Sequence, residues 1–119
     1  MRYLGNRSGR SGQAQRAPVL HSRPMAVYLI SDLDVFDAEV FAEYQQGFPE
    51  ILARHGGRYL VRGGETRVMS GDWDLHRLVI FEFPDQEALQ ATFADPDYAP
   101  LASARERSAR SKAFVVDGI

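Results

Sequence analysis

The sequence contains no cysteine among its 119 residues, which excludes a disulfide framework, a thiolate metal site and a cysteine nucleophile. It has no apolar run of the length of about eighteen residues that a membrane-spanning helix needs. Histidine is scarce: His21, His55 and His76 are scattered, with no His-x-x-x-His spacing. No metal site or haem ligand is therefore identified, and no cofactor is assigned. Gly-x-Gly-x-x-Gly, a P-loop and Gly-x-Ser-x-Gly are all missing, so nucleotide binding and nucleophile-elbow hydrolysis have no support. Acidic residues are absent from the first 24 positions, which carry Arg2, Arg7, Arg10, Arg16 and Arg23. The net charge of −2 thus conceals an acidic body, with nine Lys/Arg against sixteen Asp/Glu beyond position 24. Nucleic-acid affinity comes largely from basic residues meeting phosphates, and this body does not supply them.

What is present describes one domain with a leader. Residues 1–24 are rich in Arg, Ser, Gly and Gln without apolar periodicity, the composition of a disordered segment. Ala17-Pro18-Val19-Leu20 is too short for the core of a secretory signal, and no amphipathic transit helix is visible. The leader is read as disordered, or as a start assigned too early with Met25 the first residue, and residues 25–119 as the folded domain. A cytoplasmic location is expected.

The folded part is organised around Gly56-Gly57-Arg58-Tyr59-Leu60-Val61-Arg62-Gly63-Gly64. The first glycine pair suits a helix C-terminus with positive φ, and the second marks a bulge, a bend or a close backbone approach in a strand that resumes through Thr66 to about Met69. Before it, residues 26–34 alternate as a central strand, with Val27, Leu29, Ser31 and Leu33 on one face and Tyr28, Ile30, Asp32 and Asp34 on the other. Asp37 is a helix N-cap. Val40, Phe41, Tyr44, Phe48, Ile51 and Leu52 then form an apolar stripe over about 38–55, interrupted by Gly47 and Pro49, which predicts a kinked or two-piece helix. Residues 77–83 form a strand apolar on both faces, Asp85 caps a second helix, Asp95-Pro96-Asp97 breaks it before a further helical piece, and residues 112–117 form the last strand. The order β-α-β-β-α-β predicts an α+β, ferredoxin-like fold with a four-stranded antiparallel sheet. Helices cover one sheet face only. Covering the other with a second copy predicts a homodimer.

Tyr28-Leu29-Ile30-Ser31-Asp32, the glycine-bracketed stretch, Gly71-Asp72-Trp73, Glu82-Phe83-Pro84 and Asp97-Tyr98, taken in order, resemble the DUF1330 family of the dimeric α/β-barrel superfamily. The chain departs from the family pattern at Ala91-Thr92-Phe93, where a bulkier aromatic pair is usual. The resemblance implies the fold and a dimer, but no reaction. Superfamily relatives include cofactor-independent monooxygenases, lactone isomerases and haem-handling enzymes, often with a ligand between sheet and helices.

Asp32, Arg62 and Glu82 are charged residues on strands that otherwise read as buried. An arginine between two carboxylates would satisfy both. They are expected either to converge as a site, with Arg62 fixing a small anionic or carbonyl substrate and Asp32 or Glu82 moving a proton, or to form a structural ion cluster, or each to sit at a strand end and reach water. Tyr44, Tyr98 and Arg105 are candidate polar lining of a helix-to-sheet cavity, with ordinary packing as the alternative. His55 is expected to cap a helix and Trp73 to anchor a dimer contact. Two functions follow: a homodimer binding a small molecule and acting as a cofactor-independent enzyme on it, or a non-catalytic binding and dimerisation module.

Overall fold

A computed structural model describes residues 25–119; the leader readings, His21 and the assignment of Met25 as first residue concern positions outside the described residues or their boundary. The central strand β1, Val27–Val35, pairs antiparallel with β3, Arg77–Phe83, on one side and β4, Ala109–Asp117, on the other. Strand β2, Arg58–Arg62, joins the outer edge of β3, giving the order β2-β3-β1-β4. Helix α1, Ala38–Arg54, follows β1, and helix α2, Gln86–Ala94, with a 3-10 turn at Pro96–Tyr98 and helix α3, Ala99–Glu106, follows β3. This is the expected α+β, ferredoxin-like topology.

The local reasons are visible at the helix ends. Asp37 accepts from Val40 N at 3.2 Å, and Asp85 from Ala88 N at 2.8 Å, so both caps satisfy otherwise unpaired amides. Helix α1 ends as Gly56, at φ +83°, turns the chain, with the Gly57 amide donating back to Leu52 O at 2.9 Å. Gly57 also has no room for a side chain: a Cβ there would lie 2.5 Å from Leu52 Cδ1 and 2.9 Å from Phe83 Cε1.

Three expectations change. First, α1 is one element through Pro49 rather than two pieces. Proline removes the amide that would bond to the carbonyl four residues earlier. That carbonyl, Gln45 O, instead accepts from Arg62 Nη2 at 3.2 Å. Second, the bulge falls at Leu60, between the paired residues Tyr59 and Val61, and not at Gly63-Gly64. Third, β2 stops at Arg62 instead of reaching Met69. Its only neighbour, β3, begins at Arg77, so after the Gly63 amide bonds to Leu78 O at 2.8 Å there is almost no strand left to pair with. Residues 63–76 form a loop in which Val68 and Met69 are exposed. Trp73, also exposed, folds within this loop, its indole N–H on Ser70 O at 3.0 Å.

The core lies between the sheet and the helices. Val27, Leu33, Val79, Phe81 and Phe83 face Phe41, Tyr44, Phe48 and Leu52 of α1. Phe48 is fully buried, with ring centroids of Tyr44, Phe81, Phe93 and Tyr98 between 5.3 and 5.9 Å away. The opposite face carries Tyr28, Ile30, Leu78 and Ile80, flanked by Phe114 and Val116 of β4, and among the described residues no helix covers it. Phe48→Ala removes the ring on which both layers pack and is expected to cost about 3–5 kcal/mol. Urea denaturation measures it, and a loss below about 1 kcal/mol would contradict this account of the core.

Candidate functional site

The bulge decides where the charged strand residues go. A side chain alternates faces with each residue, so one extra residue reverses every later position. Arg58 pairs with Glu82 and shares its face, but beyond Leu60 the register places Arg62 opposite Val79, toward the helices. Asp32 and Glu82 stay on the uncovered face, opposite Leu78 and Tyr28, about 13 Å apart along the strands. The expected convergence of Asp32, Arg62 and Glu82 therefore does not occur. Each has its own partner.

Glu82 accepts from Arg58 Nε at 2.7 Å and from the Tyr28 hydroxyl at 3.0 Å. Arg58 and then Tyr28 hold its carboxyl below the ordinary value, and the same bond raises the Tyr28 phenol. Arg62 lies over the Tyr59 ring at 4.5 Å while bonding Gln45 O. Tyr44 is buried against Phe48; burial first, then Tyr98 and Tyr59, push its hydroxyl far up, with Arg105 and Arg62 acting the other way. The structure thus gathers Tyr44, Tyr98, Arg105 and Arg62 in one electrostatic neighbourhood. The gap beneath Tyr44 is only about 10 Å³, bordered by Arg62 and Arg77, which is room for a single water.

The open space lies nearer the sheet end. A cleft of about 380 Å³ is floored by Leu33 and Val35, walled by Ala38, Phe41 and Gln45 of α1, and rimmed by Asp34, His76 and Arg77. His76 is gripped at two points. Its backbone N–H donates to Asp32 Oδ1 at 2.8 Å, and its ring Nδ1 lies 3.0 Å from Asp32 Oδ2. Its Nε2 stands 3.9 Å from carboxylate oxygens of Asp34 and Asp74. Burial pushes the Asp32 carboxyl up, but the His76 ring and backbone hydrogen bonds outweigh it and leave it below 3.8. The His76 imidazole is raised above 6.5, chiefly by the Asp32 hydrogen bond, with Asp34 and Asp74 adding to it.

Asp32 is thus a sequence candidate that lines up a histidine, and His76 and Arg77 are the residues that sequence reasoning passed over. Their signal was positional: in the β1–β3 register Arg77 faces Leu33, which brings the preceding His76 beside Asp34 and Asp32. His55 behaves as expected, as the C-cap residue of α1. Its Nε2 lies 2.7 Å from Asp95, and this contact with help from the Asp97 amide and Arg54 pulls Asp95 down to about 2. That clasp sits at the far end of α1 from the cleft. Among the described residues no group of three His, Cys, Asp or Glu side chains is placed to hold a metal ion, and no helix is long and apolar enough to cross a membrane.

A family model described as a domain of unknown function, DUF1330, matches residues 26–119. No curated protein matches the chain. Among solved structures, a protein of unknown function from Rhodopseudomonas palustris superposes with a TM-score of 0.70 at 17% identity, covering 91% of this chain and 98% of that one. SnoaB, a cofactor-independent oxygenase from Streptomyces nogalater, gives 0.55 at 17% identity over 80% and 94% of the two chains. A putative antibiotic biosynthesis monooxygenase from Nitrosomonas europaea gives 0.53 at 16% over 82% and 92%. At these identities the likeness establishes the fold.

Because the folded-state pKa of His76 lies above 6.5, its contribution to stability is complete below pH 6.5 and is lost as pH rises through the raised value. Ring-resonance titration by NMR is expected to place its midpoint above 6.5, and Asp32→Asn is expected to lower it. A midpoint that does not move in Asp32→Asn would show that Asp32 does not govern the ring.

Proposed function

The chain belongs to the DUF1330 family, and from that premise we propose that it is a homodimer whose cleft between sheet and α1 binds a small molecule and transfers a proton through His76. The observation that carries this reading is the two-point hold of Asp32 on His76. With Nδ1–H donated to Asp32, the neutral ring carries its lone pair on Nε2, beside the cleft. Asp32 fixes the tautomer and stabilises the imidazolium formed when Nε2 takes a proton. Asp32 is then a positioning residue, and Glu82, held by Arg58 and Tyr28, takes no part in the chemistry.

The fitting substrate is a small carbonyl or hydroxyaromatic compound with a proton acidic enough for a histidine base. Proteins of this fold include a cofactor-independent oxygenase, and a substrate that passes an electron to dioxygen unaided does so more readily from its conjugate base. The second reading, a non-catalytic binding and dimerisation module, is favoured by a different feature of the same bonds: Asp32 also ties the end of the 63–76 loop to β1.

Ketonisation of the enol of phenylpyruvate, followed by its ultraviolet absorbance, separates the two. Acceleration by the wild type that falls about 10²–10⁴-fold in His76→Asn is expected for a general base. A rate that is unchanged in His76→Asn sinks the proton-transfer reading. For the dimer, the support is the uncovered face with Phe114 61% and Val116 48% exposed. Native mass spectrometry is expected to give a dimer that Phe114→Asp weakens, whereas a stable wild-type monomer at micromolar concentration would rule it out.

A further inference from the structure

Arg77 is a cation in an awkward place. It opens β3 on the helix side, paired with Leu33, and its guanidinium lies 5.8 Å from the Phe41 ring centroid. Its Nε is buried without a hydrogen-bond partner. The guanidinium also passes so close to Gly63 that a Cβ there would collide with Nη1. Gly63, at φ +75°, both turns the chain out of β2 and leaves room for this side chain.

Elsewhere Arg54, Arg58, Arg67 and Arg110 each meet a carboxylate. Among the described residues Arg105, Arg107, Arg77 and Arg62 do not, although sixteen acidic side chains are available, and it is the last two that line the gap beside α1. These two unneutralised guanidiniums border one interior gap with Gln45, and Arg77 continues into the open cleft. A buried N–H left without an acceptor costs stability, and a buried charge without a counter-ion costs more. A ligand oxyanion arriving in the cleft would supply both. A planar guanidinium fork grips a carboxylate through two parallel hydrogen bonds. Asp34 on the same rim disfavours a second negative charge.

We infer that Arg77, backed by Arg62, is the anchor of a carboxylate subsite, so that the cleft takes a small monocarboxylate with its apolar part against Phe41 and Leu33. This rests on the reading of the cleft as a small-molecule site and adds the class of ligand. With the carboxylate at Arg77, the remainder of the ligand extends toward the rim where His76 stands.

Benzoate and its neutral isostere benzamide test this by amide NMR on the full chain. Benzoate is expected to shift the signals of Gln45, Gly63 and Arg77 saturably, and benzamide is not. Arg77→Gln is expected to weaken benzoate by about tenfold to a hundredfold, the worth of a charge-assisted contact. Its thermal midpoint is expected to equal or exceed the wild type, because the change removes a buried group without a partner; an arginine kept for structure would lower it. If Arg77→Gln does not fold, Arg77→Lys is expected to keep weaker benzoate binding, since an ammonium cannot form the fork. Equal binding of benzoate and benzamide, no saturable shift, or undiminished binding in both variants would overturn the subsite. The enol assay reports separately. A benzoate site lost in Arg77→Gln together with ketonisation indifferent to His76→Asn upholds the subsite and rejects the proton transfer, and the converse pattern does the reverse.

Discussion

One unpaired residue, Leu60, decides which face of the sheet Arg62 occupies. Without it, strict alternation would carry Arg62 to the uncovered face with Arg58 and Glu82. With it, Arg62 turns under α1, where Pro49 has left Gln45 O without its helical donor. The extra residue in the edge strand and the proline in the helix are therefore two halves of one solution. A carbonyl that would have been orphaned near the core receives a charged donor, and α1 runs unbroken past its proline. Once Arg62 occupies that position, Arg58 is the arginine of β2 left on the uncovered face, beside Glu82, while Asp32 holds His76.

Among the described residues two histidine–aspartate pairs occur, in different surroundings. At His55, Arg54 meets Asp95 at 2.9 Å, Asp97 at 3.0 Å and Glu50 at 3.4 Å, so one guanidinium is shared among three carboxylates. At His76 the nearby carboxylates are Asp32, Asp34 and Asp74, with Arg110 3.8 Å from Asp34 and Lys112 opposite Asp32 in the register. The His55 cluster ties the end of α1 to the end of α2, whereas the one at His76 lies at the rim of the cleft.

Much of the fold was legible in the sequence because local signals agreed with one another. The alternation in β1, the caps at Asp37 and Asp85, the apolar stripe of α1 and the glycine stop at Gly56 all point to the same topology, and all hold. The site was less legible, for a physical reason. Tyr59, Leu60 and Val61 suit either face of a sheet, so nothing in their side chains announces a bulge, while Gly63-Gly64 announces one where the chain in fact departs. A mistake of one residue in register moves Arg62 through the sheet. His76 and Arg77 acquire their meaning only from what β1 places beside them, and that is a property of pairing rather than of any short stretch. The candidates Tyr44, Tyr98 and Arg105 lie near one another, and the gap bordered by Tyr44 measures about 10 Å³.

The sheet order has a consequence for how the molecule comes into being. Strand β1, the first of the described strands, forms nine register pairs with β4, the last of them, and Gly118 N extends the ladder to Ala26 O at 2.8 Å. During translation β1 can meet β3 well before β4 has left the ribosome, and in that interval the strand that will sit at the centre of the sheet has an open edge. Contacts between such distant parts of a chain form slowly, and an exposed edge invites pairing with other chains. A nascent chain therefore passes through a stage in which its central strand is half-finished, and β4 is the strand that completes it.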